Sequence, residues 1–84
     1  MKDVTIYTTN YCPWCRQAEK FLESKGVPFK NVDVTDDPAM REKLVELTGQ
    51  KTVPQIFVGT ESIGGYSDMM ALHHKGQFEP KLNA

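Results

Sequence analysis

The chemistry in this chain centres on its only two cysteines, Cys12 and Cys15, in the stretch NYCPWCR at residues 10–16. Pro13 between them has the fixed φ that suits a first helical position, so a helix is predicted to begin there. A cysteine at that boundary faces unpaired backbone N–H groups and the positive end of the helix dipole, which both favour its thiolate. Cys12 is therefore predicted to be a nucleophile near neutral pH.

Cys15 lies one turn further along the same face of the predicted helix, where side chains three residues apart are neighbours. It is close enough to attack a mixed disulfide formed at Cys12. The alternative that both cysteines are small buried hydrophobic residues stays open at this point. So does a zinc site, although zinc needs four ligands and His73 and His74 fall on a distant helix, where a solvated helix end also accounts for them.

Length and composition narrow the class of protein. The 84 residues, 39% hydrophobic and 25% charged, allow one domain over residues 1–84 with its own core. Ten basic and eleven acidic residues give a net charge of −1, which argues against a nucleic-acid or membrane-surface role. Apolar runs such as residues 56–58 are too short to span a membrane, and no signal peptide opens the chain. We expect a cytoplasmic protein, in which paired cysteines are catalytic or metal-binding rather than a structural bridge.

The elements that position the cysteines are a strand, a helix and a second strand. Residues 4–8 alternate and are rich in β-branched and aromatic side chains, which predicts a β-strand. The helix is predicted from about Pro13 to Lys25, with Gly26 just past its end. A second strand follows over residues 29–34. These three elements form a right-handed βαβ unit, so the two strands are predicted to be parallel.

The second half of the chain is predicted to add a helix and a hairpin. Asp37 and Pro38 form a helix-start signal, and Gly49 is the corresponding stop. Residues 52–58 have the pattern of a third strand, and residues 61–63 are predicted to pair back against it.

A last helix is predicted to start at Ser67 and Asp68, which would cap it, and to end at Gly76. The tail from residue 77 has no assigned element. Phe78 and Leu82 are nevertheless expected to pack against the core.

Three separated motifs together resemble the glutaredoxin family, in its small dithiol type. They are CPWC at residues 12–15, TVP at residues 52–54 and GGYSD at residues 64–68, in the order and spacing that glutaredoxins show. The resemblance covers nearly the whole chain. It implies a thioredoxin fold, an α/β architecture in which a four-stranded mixed sheet is flanked by three helices. It also implies a cis bond before Pro54, where the residues alone allow an ordinary edge-strand proline.

The resemblance further implies a glutathione site. The main chain of Val53 would pair with the cysteinyl part of glutathione, the N–H of Ser67 would hold the γ-glutamyl carboxylate, and Asp68 would pair with the ammonium. Without the family, Asp68 is first of all a first-turn acid that favours the helix dipole. No metal is expected, and the full predicted set of glutathione contacts is Cys12, Trp14, Lys51, Thr52, Val53, Pro54, Gly65, Tyr66, Ser67 and Asp68.

Two residues depart from the family pattern. Thr9 stands where many glutaredoxins carry a lysine that helps to bind the glycyl carboxylate and favours the thiolate. Lys51 is a candidate replacement for the carboxylate contact, with a solvated loop lysine as the alternative. Trp14 stands where tyrosine is usual, so it keeps the aromatic wall and lacks the phenolic oxygen.

The leading hypothesis is a monomeric, glutathione-dependent thiol–disulfide oxidoreductase that reduces protein disulfides and glutathione mixed disulfides. Cys12 would be the nucleophile and Cys15 the resolving thiol. One alternative is a homodimer in which Cys12 of each chain and two glutathiones ligate a [2Fe–2S] cluster, which a proline after the first cysteine disfavours in the family. The other is a redoxin reduced by a flavoprotein reductase, against which the motif at residues 64–68 argues.

Overall fold

A mixed sheet with helices packed against it forms the framework of the molecule. The computed structural model describes residues 1–83. Its elements are β1 (Val4–Thr8), α1 (Pro13–Ser24), β2 (Phe29–Asp33), α2 (Pro38–Thr48), β3 (Gln55–Val58), β4 (Glu61–Gly64), α3 (Tyr66–His74) and α4 (Phe78–Leu82). The strand order is β2-β1-β3-β4. β1 and β2 are parallel, and β3 is antiparallel to both β1 and β4. The predicted four-stranded mixed sheet of a thioredoxin fold is confirmed.

The register of the central strands determines where the cysteines lie. Val4 pairs with Phe29 and Thr8 with Asp33, so β1 and β2 end at the same edge of the sheet. Four residues separate the end of β1 from the start of α1, and the last of them, Cys12, is the N-cap in an extended conformation (φ −101°, ψ 107°). The chain thus delivers both sulfurs to the edge of the sheet where the two parallel strands end.

The start of the third strand differs from the prediction. We expected β3 from residue 52, whereas it begins at Gln55. The Val53-Pro54 peptide bond is cis, as the resemblance implied. Because Pro54 has no N–H to donate to a ladder, the strand forms only after it.

The last long helix also begins earlier than predicted. α3 starts at Tyr66 with Gly65 as its N-cap, so Ser67 and Asp68 lie inside its first turn. The carboxylate Oδ2 of Asp68 accepts a hydrogen bond from the Gly65 N–H at 2.9 Å. Asp68 therefore caps the helix by reaching back from the third helical position.

The chain also forms a fourth, short helix where the sequence analysis assigned no element. α4 is only five residues long, which is too short for a hydrophobic period to identify it. Phe78 and Leu82 are buried in the core, as expected, and the Phe78 ring packs at 5.9 Å from that of Phe21 on α1. The N–H of Lys2 donates to the Leu82 carbonyl at 2.6 Å, which ties the tail to the start of β1. Within residues 1–83, no helix has the length and apolar character needed to cross a membrane.

Candidate active site

Cys12 occupies the N-terminus of α1 with its sulfur held in the first turn. Its Sγ accepts a hydrogen bond from the Cys15 N–H at 3.1 Å, so the sulfur itself caps the helix. The Cys12 thiol donates to the Val53 carbonyl at 3.6 Å across the cleft. About 9% of Cys12 is exposed, whereas Cys15 is completely buried. Cys12 therefore lies at the helix start, as the sequence predicted.

Cys15 lies beneath Cys12 and is completely buried. Burial, followed by the hydrogen bond with Cys12, raises the pKa of the Cys15 thiol to about 12, while a backbone hydrogen bond from Thr9 and the charge of Arg16 act in the opposite direction. Both cysteines are free thiols. The pair therefore combines Cys12, which lies at a helix start and keeps slight exposure, with Cys15, which is completely buried and protonated at neutral pH.

A small pocket opens beside Cys12. The rings of Trp14 and Tyr66 stack with their centroids 5.3 Å apart and an interplanar angle of 29°. They join the cis-proline loop and the start of α3 around a volume of about 160 Å³, lined by Trp14, Val53, Pro54, Gly65, Tyr66 and Ser67. The aromatic wall predicted for Trp14 is present, and the indole is 60% exposed at its rim.

The start of α3 faces the cis-proline loop at close range. A Cβ at Gly65 would lie 3.3 Å from the Pro54 carbonyl oxygen, so the absence of a side chain lets the two segments approach. The first bond within the helix runs from the Met69 N–H to the Gly65 carbonyl. Ser67 comes before Met69 in the chain, so its N–H has no acceptor within the helix. That N–H can therefore donate to an anion at the start of α3.

The ten predicted glutathione contacts do not all lie together. Seven of them do, namely Cys12 at the helix start and the six residues that line the pocket. Asp68 borders a neighbouring groove of about 340 Å³ between β4 and α3, with its Oδ2 engaged by Gly65. Lys51 and Thr52 are exposed and lie outside the pocket lining.

The sequence analysis did not anticipate the contact that Arg41 makes near the site or the burial of Thr9. Nη1 of Arg41, on α2, donates to the Tyr11 hydroxyl at 3.2 Å, which places a cation beside the loop that leads to Cys12. Thirty residues separate the two along the chain, and nothing in the local pattern signals the contact. Thr9, considered only as a missing lysine, is fully buried.

The two histidines take no part in this site. His74 is exposed, as expected for a solvated helix end, whereas His73 keeps only 27% of its side chain exposed and its ring packs edge-on against Phe21 with centroids 4.9 Å apart. In the part of the chain that the structure describes, no group of three or more His, Cys, Asp or Glu side chains is placed to hold a metal ion.

Comparison with known proteins places these features in a family. Residues 4–63 match the glutaredoxin family model. Glutaredoxin 3 of Escherichia coli strain K12 is 42% identical over 82 residues, which cover 98% of this chain and 99% of that protein. The solution structure of a Brucella melitensis glutaredoxin superposes with a TM-score of 0.87 at 37% identity, over 100% of this chain and 94% of that one. A buckwheat glutaredoxin solved as a glutathione complex gives a TM-score of 0.92 at 27% identity, over 98% and 77%.

A thioredoxin fold with a Cys-X-X-Cys pair at the first helix defines a thiol–disulfide oxidoreductase. The chain belongs to the glutaredoxin family. The resemblance seen in its three motifs is confirmed.

Burial of Cys15 predicts a steep pH dependence for the step in which it attacks a mixed disulfide at Cys12. Burial, the largest cause of the raised pKa of the Cys15 thiol, persists when Cys12 is held in a mixed disulfide. The thiolate fraction should therefore grow about tenfold per pH unit below that raised pKa, and the rate should follow it. We expect this rise between about pH 6 and about pH 9 in rapid-mixing measurements of partner release. Cys15→Ser is the control, and a rate that levels off near neutral pH would contradict the burial argument.

Proposed function

We propose that the chain reduces glutathione mixed disulfides and protein disulfides with electrons drawn from glutathione. The observation that carries the proposal is the position of the Cys12 sulfur, which caps α1 at 3.1 Å from the Cys15 N–H and lies 3.6 Å from the carbonyl of Val53, a residue of the pocket lining. The buckwheat relative solved with glutathione supports glutathione as the reductant. Such a protein acts as a monomer in a compartment that keeps glutathione reduced, such as the cytoplasm.

The reaction on a glutathione mixed disulfide takes two exchange steps. The Cys12 thiolate attacks the glutathione sulfur, and a bond forms between those two sulfurs. The thiol that had been joined to glutathione leaves as a thiolate and takes a proton from water. A second glutathione thiolate then attacks the glutathione sulfur held on Cys12. Oxidised glutathione leaves and the Cys12 thiolate is regenerated. The helix start favours the thiolate at both steps, since Cys12 is first nucleophile and then leaving group.

Protein disulfides require the second thiol. After Cys12 attacks, Cys15 loses its proton and attacks the Cys12 sulfur, which releases the reduced protein and leaves a Cys12–Cys15 disulfide. Glutathione then reduces this disulfide in two exchanges. The 3.1 Å contact between the Cys15 N–H and the Cys12 sulfur keeps the two residues in adjacent positions.

The pocket supports a specific orientation of glutathione. The Val53 main chain is opposite Cys12, since its carbonyl accepts from the thiol, and it suits strand-like pairing with the cysteinyl part of the ligand. The Ser67 N–H suits the γ-glutamyl carboxylate. The Asp68 oxygen that is not engaged by Gly65 suits the ammonium. Trp14, Pro54, Gly65 and Tyr66 form the walls, and Thr52 flanks Val53.

The second carboxylate of glutathione needs a cation that Thr9 does not provide. Lys51 precedes the cis-proline loop, and Arg41 lies beside the Cys12 loop through its bond to Tyr11. Because exposed charge pairs contribute about 0.2–1 kcal/mol, we expect Lys51→Gln and Arg41→Gln each to raise KM for the glutathione substrate up to about fivefold with kcat unchanged. Lys43→Gln, an exposed lysine on α2, is the matched control. A KM that stays at the wild-type value in both variants would remove these two residues from the site.

The overall proposal is tested by glutathione-coupled reduction of a small mixed disulfide, with added glutathione reductase reporting turnover through NADPH consumption. We expect turnover in the wild type that disappears in Cys12→Ser. A folded, reduced wild type without turnover would overturn the proposal and direct attention to the cluster-binding and flavoprotein-reductase alternatives. Visible absorbance after anaerobic purification would distinguish the first of these.

A further inference from the structure

A chain of polar contacts lies behind the cysteines and links α1 to the two parallel strands. Nη2 of Arg16 donates to the Thr9 carbonyl at 3.3 Å and lies 2.7 Å from Oε2 of Glu19. The same Glu19 oxygen accepts from the Asn31 amide at 3.5 Å, and the Thr8 hydroxyl donates to Oδ1 of Asn31 at 2.6 Å. The proposed reaction gives these contacts no role.

Thr9 is the point at which this chain of contacts meets the resolving thiol. Its backbone lies near enough to Cys15 to act on the pKa of that thiol, lowering it against the larger effect of burial. Its own hydroxyl is buried without a partner in the described part of the chain, so no side-chain bond from Thr9 holds the residue in place. The Arg16 bond to its carbonyl is the side-chain contact that does so.

We infer that Arg16 is a positioning residue for the resolving step: it holds Thr9 against Cys15 and places a positive charge near the sulfur that must become anionic. The inference rests on the proposed resolving role of Cys15. Arg16 keeps 45% of its side chain exposed, so it acts at the edge of the buried site rather than inside it. Its charge also favours the Cys15 thiolate directly. Arg16 contacts Cys12 only through its backbone, whose N–H donates to the Cys12 carbonyl at 3.3 Å. A change of the Arg16 side chain keeps that bond, so Cys12 should attack its substrates at an unchanged rate.

The inference is testable with an aromatic disulfide, bis(3-carboxy-4-nitrophenyl) disulfide, which needs no glutathione. In the first phase the Cys12 thiolate attacks one sulfur, and one coloured aryl thiolate leaves with the electron pair of the broken bond. In the second phase Cys15 gives its proton to water and attacks the Cys12 sulfur, so the Cys12–Cys15 bond forms and the second aryl thiolate leaves. The two phases therefore report the two cysteines separately in one absorbance trace.

We expect Arg16→Gln to slow the second phase about three- to tenfold and to leave the first phase unchanged, as expected for one lost hydrogen bond and one partly screened charge. Arg16→Lys should recover part of the rate because it keeps the charge without the guanidinium fork. Lys20→Gln, an exposed lysine on the same helix, should change neither phase. In a Cys15→Ser background, which has no second phase, Arg16→Gln should have no effect.

Two results would overturn the inference: a second phase at the wild-type rate in Arg16→Gln, or equal slowing of both phases, which would indicate a general disturbance of α1. Because the probe is not a glutathione derivative, a failure of glutathione-coupled turnover with intact biphasic release would count against the proposed function alone. Loss of the second phase in the wild type would count against the resolving role on which this inference depends.

Discussion

The Cys15→Ser variant is expected to reduce glutathione mixed disulfides and to fail on protein disulfides, whereas Cys12→Ser fails on both. In the proposed mechanism Cys12 alone carries the exchange with glutathione, because its sulfur lies at the helix start and 9% of the residue remains exposed. Cys15 is completely buried and cannot meet a substrate directly. Its removal therefore takes away only the intramolecular release of a bound protein.

The measurement compares both variants and the wild type in two assays under the same glutathione supply, one with a small glutathione mixed disulfide and one with a disulfide-bonded protein. Turnover of Cys12→Ser should fall to the uncatalysed rate in each. Thermal unfolding serves as the control, since serine is close to cysteine in size. Equal losses in both assays for Cys15→Ser would mean that the assigned division between the two thiols is wrong.

Among the glycines of the described chain, Gly64 is expected to lose the most stability when it is replaced by alanine. Gly64 has φ +98°, and an added Cβ would lie 2.7 Å from Cγ and 2.9 Å from Cβ of Asp68. Backbone strain and overpacking each cost about 1–3 kcal/mol, so we expect a loss of about 2–6 kcal/mol in the free energy of unfolding. At about 4–8 °C per kcal/mol for a domain of this size, Tm should fall by roughly 10 °C or more.

The same substitution should weaken glutathione binding, because Asp68 must move and with it the bond that caps α3. Gly76→Ala is the matched control: its φ of +69° is also positive, but nothing lies within 4 Å of the added Cβ. It should therefore show the backbone strain alone, about 1 kcal/mol. Chemical denaturation of the two variants separates the terms, and equal losses would contradict the predicted clash with Asp68.

The start of α1 could be predicted from the sequence because its determinants are local. Pro13 fixes a first helical position, and a cysteine directly before it must be the N-cap whatever the rest of the chain does. The cis bond before Pro54 was different in kind, since only the family resemblance implied it, and the structure confirms it.

The features that escaped prediction depend on contacts between distant segments. Arg41 reaches Tyr11 across thirty residues, and α4 is stabilised by burying Phe78 against Phe21 rather than by any pattern of its own. Thr9 illustrates a further limit: its type predicts a missing charge, whereas its burial beneath the helix start follows from the packing of the whole sheet.

The hydrogen bond between the Lys2 N–H and the Leu82 carbonyl has a practical consequence for immobilising the protein. It brings Lys2 and Leu82 together at the start of β1, and the sulfurs follow the opposite end of that strand. An electrode or bead linked beside either residue would therefore hold the molecule with its thiols directed away from the support, which is the orientation that interfacial electron-transfer experiments require.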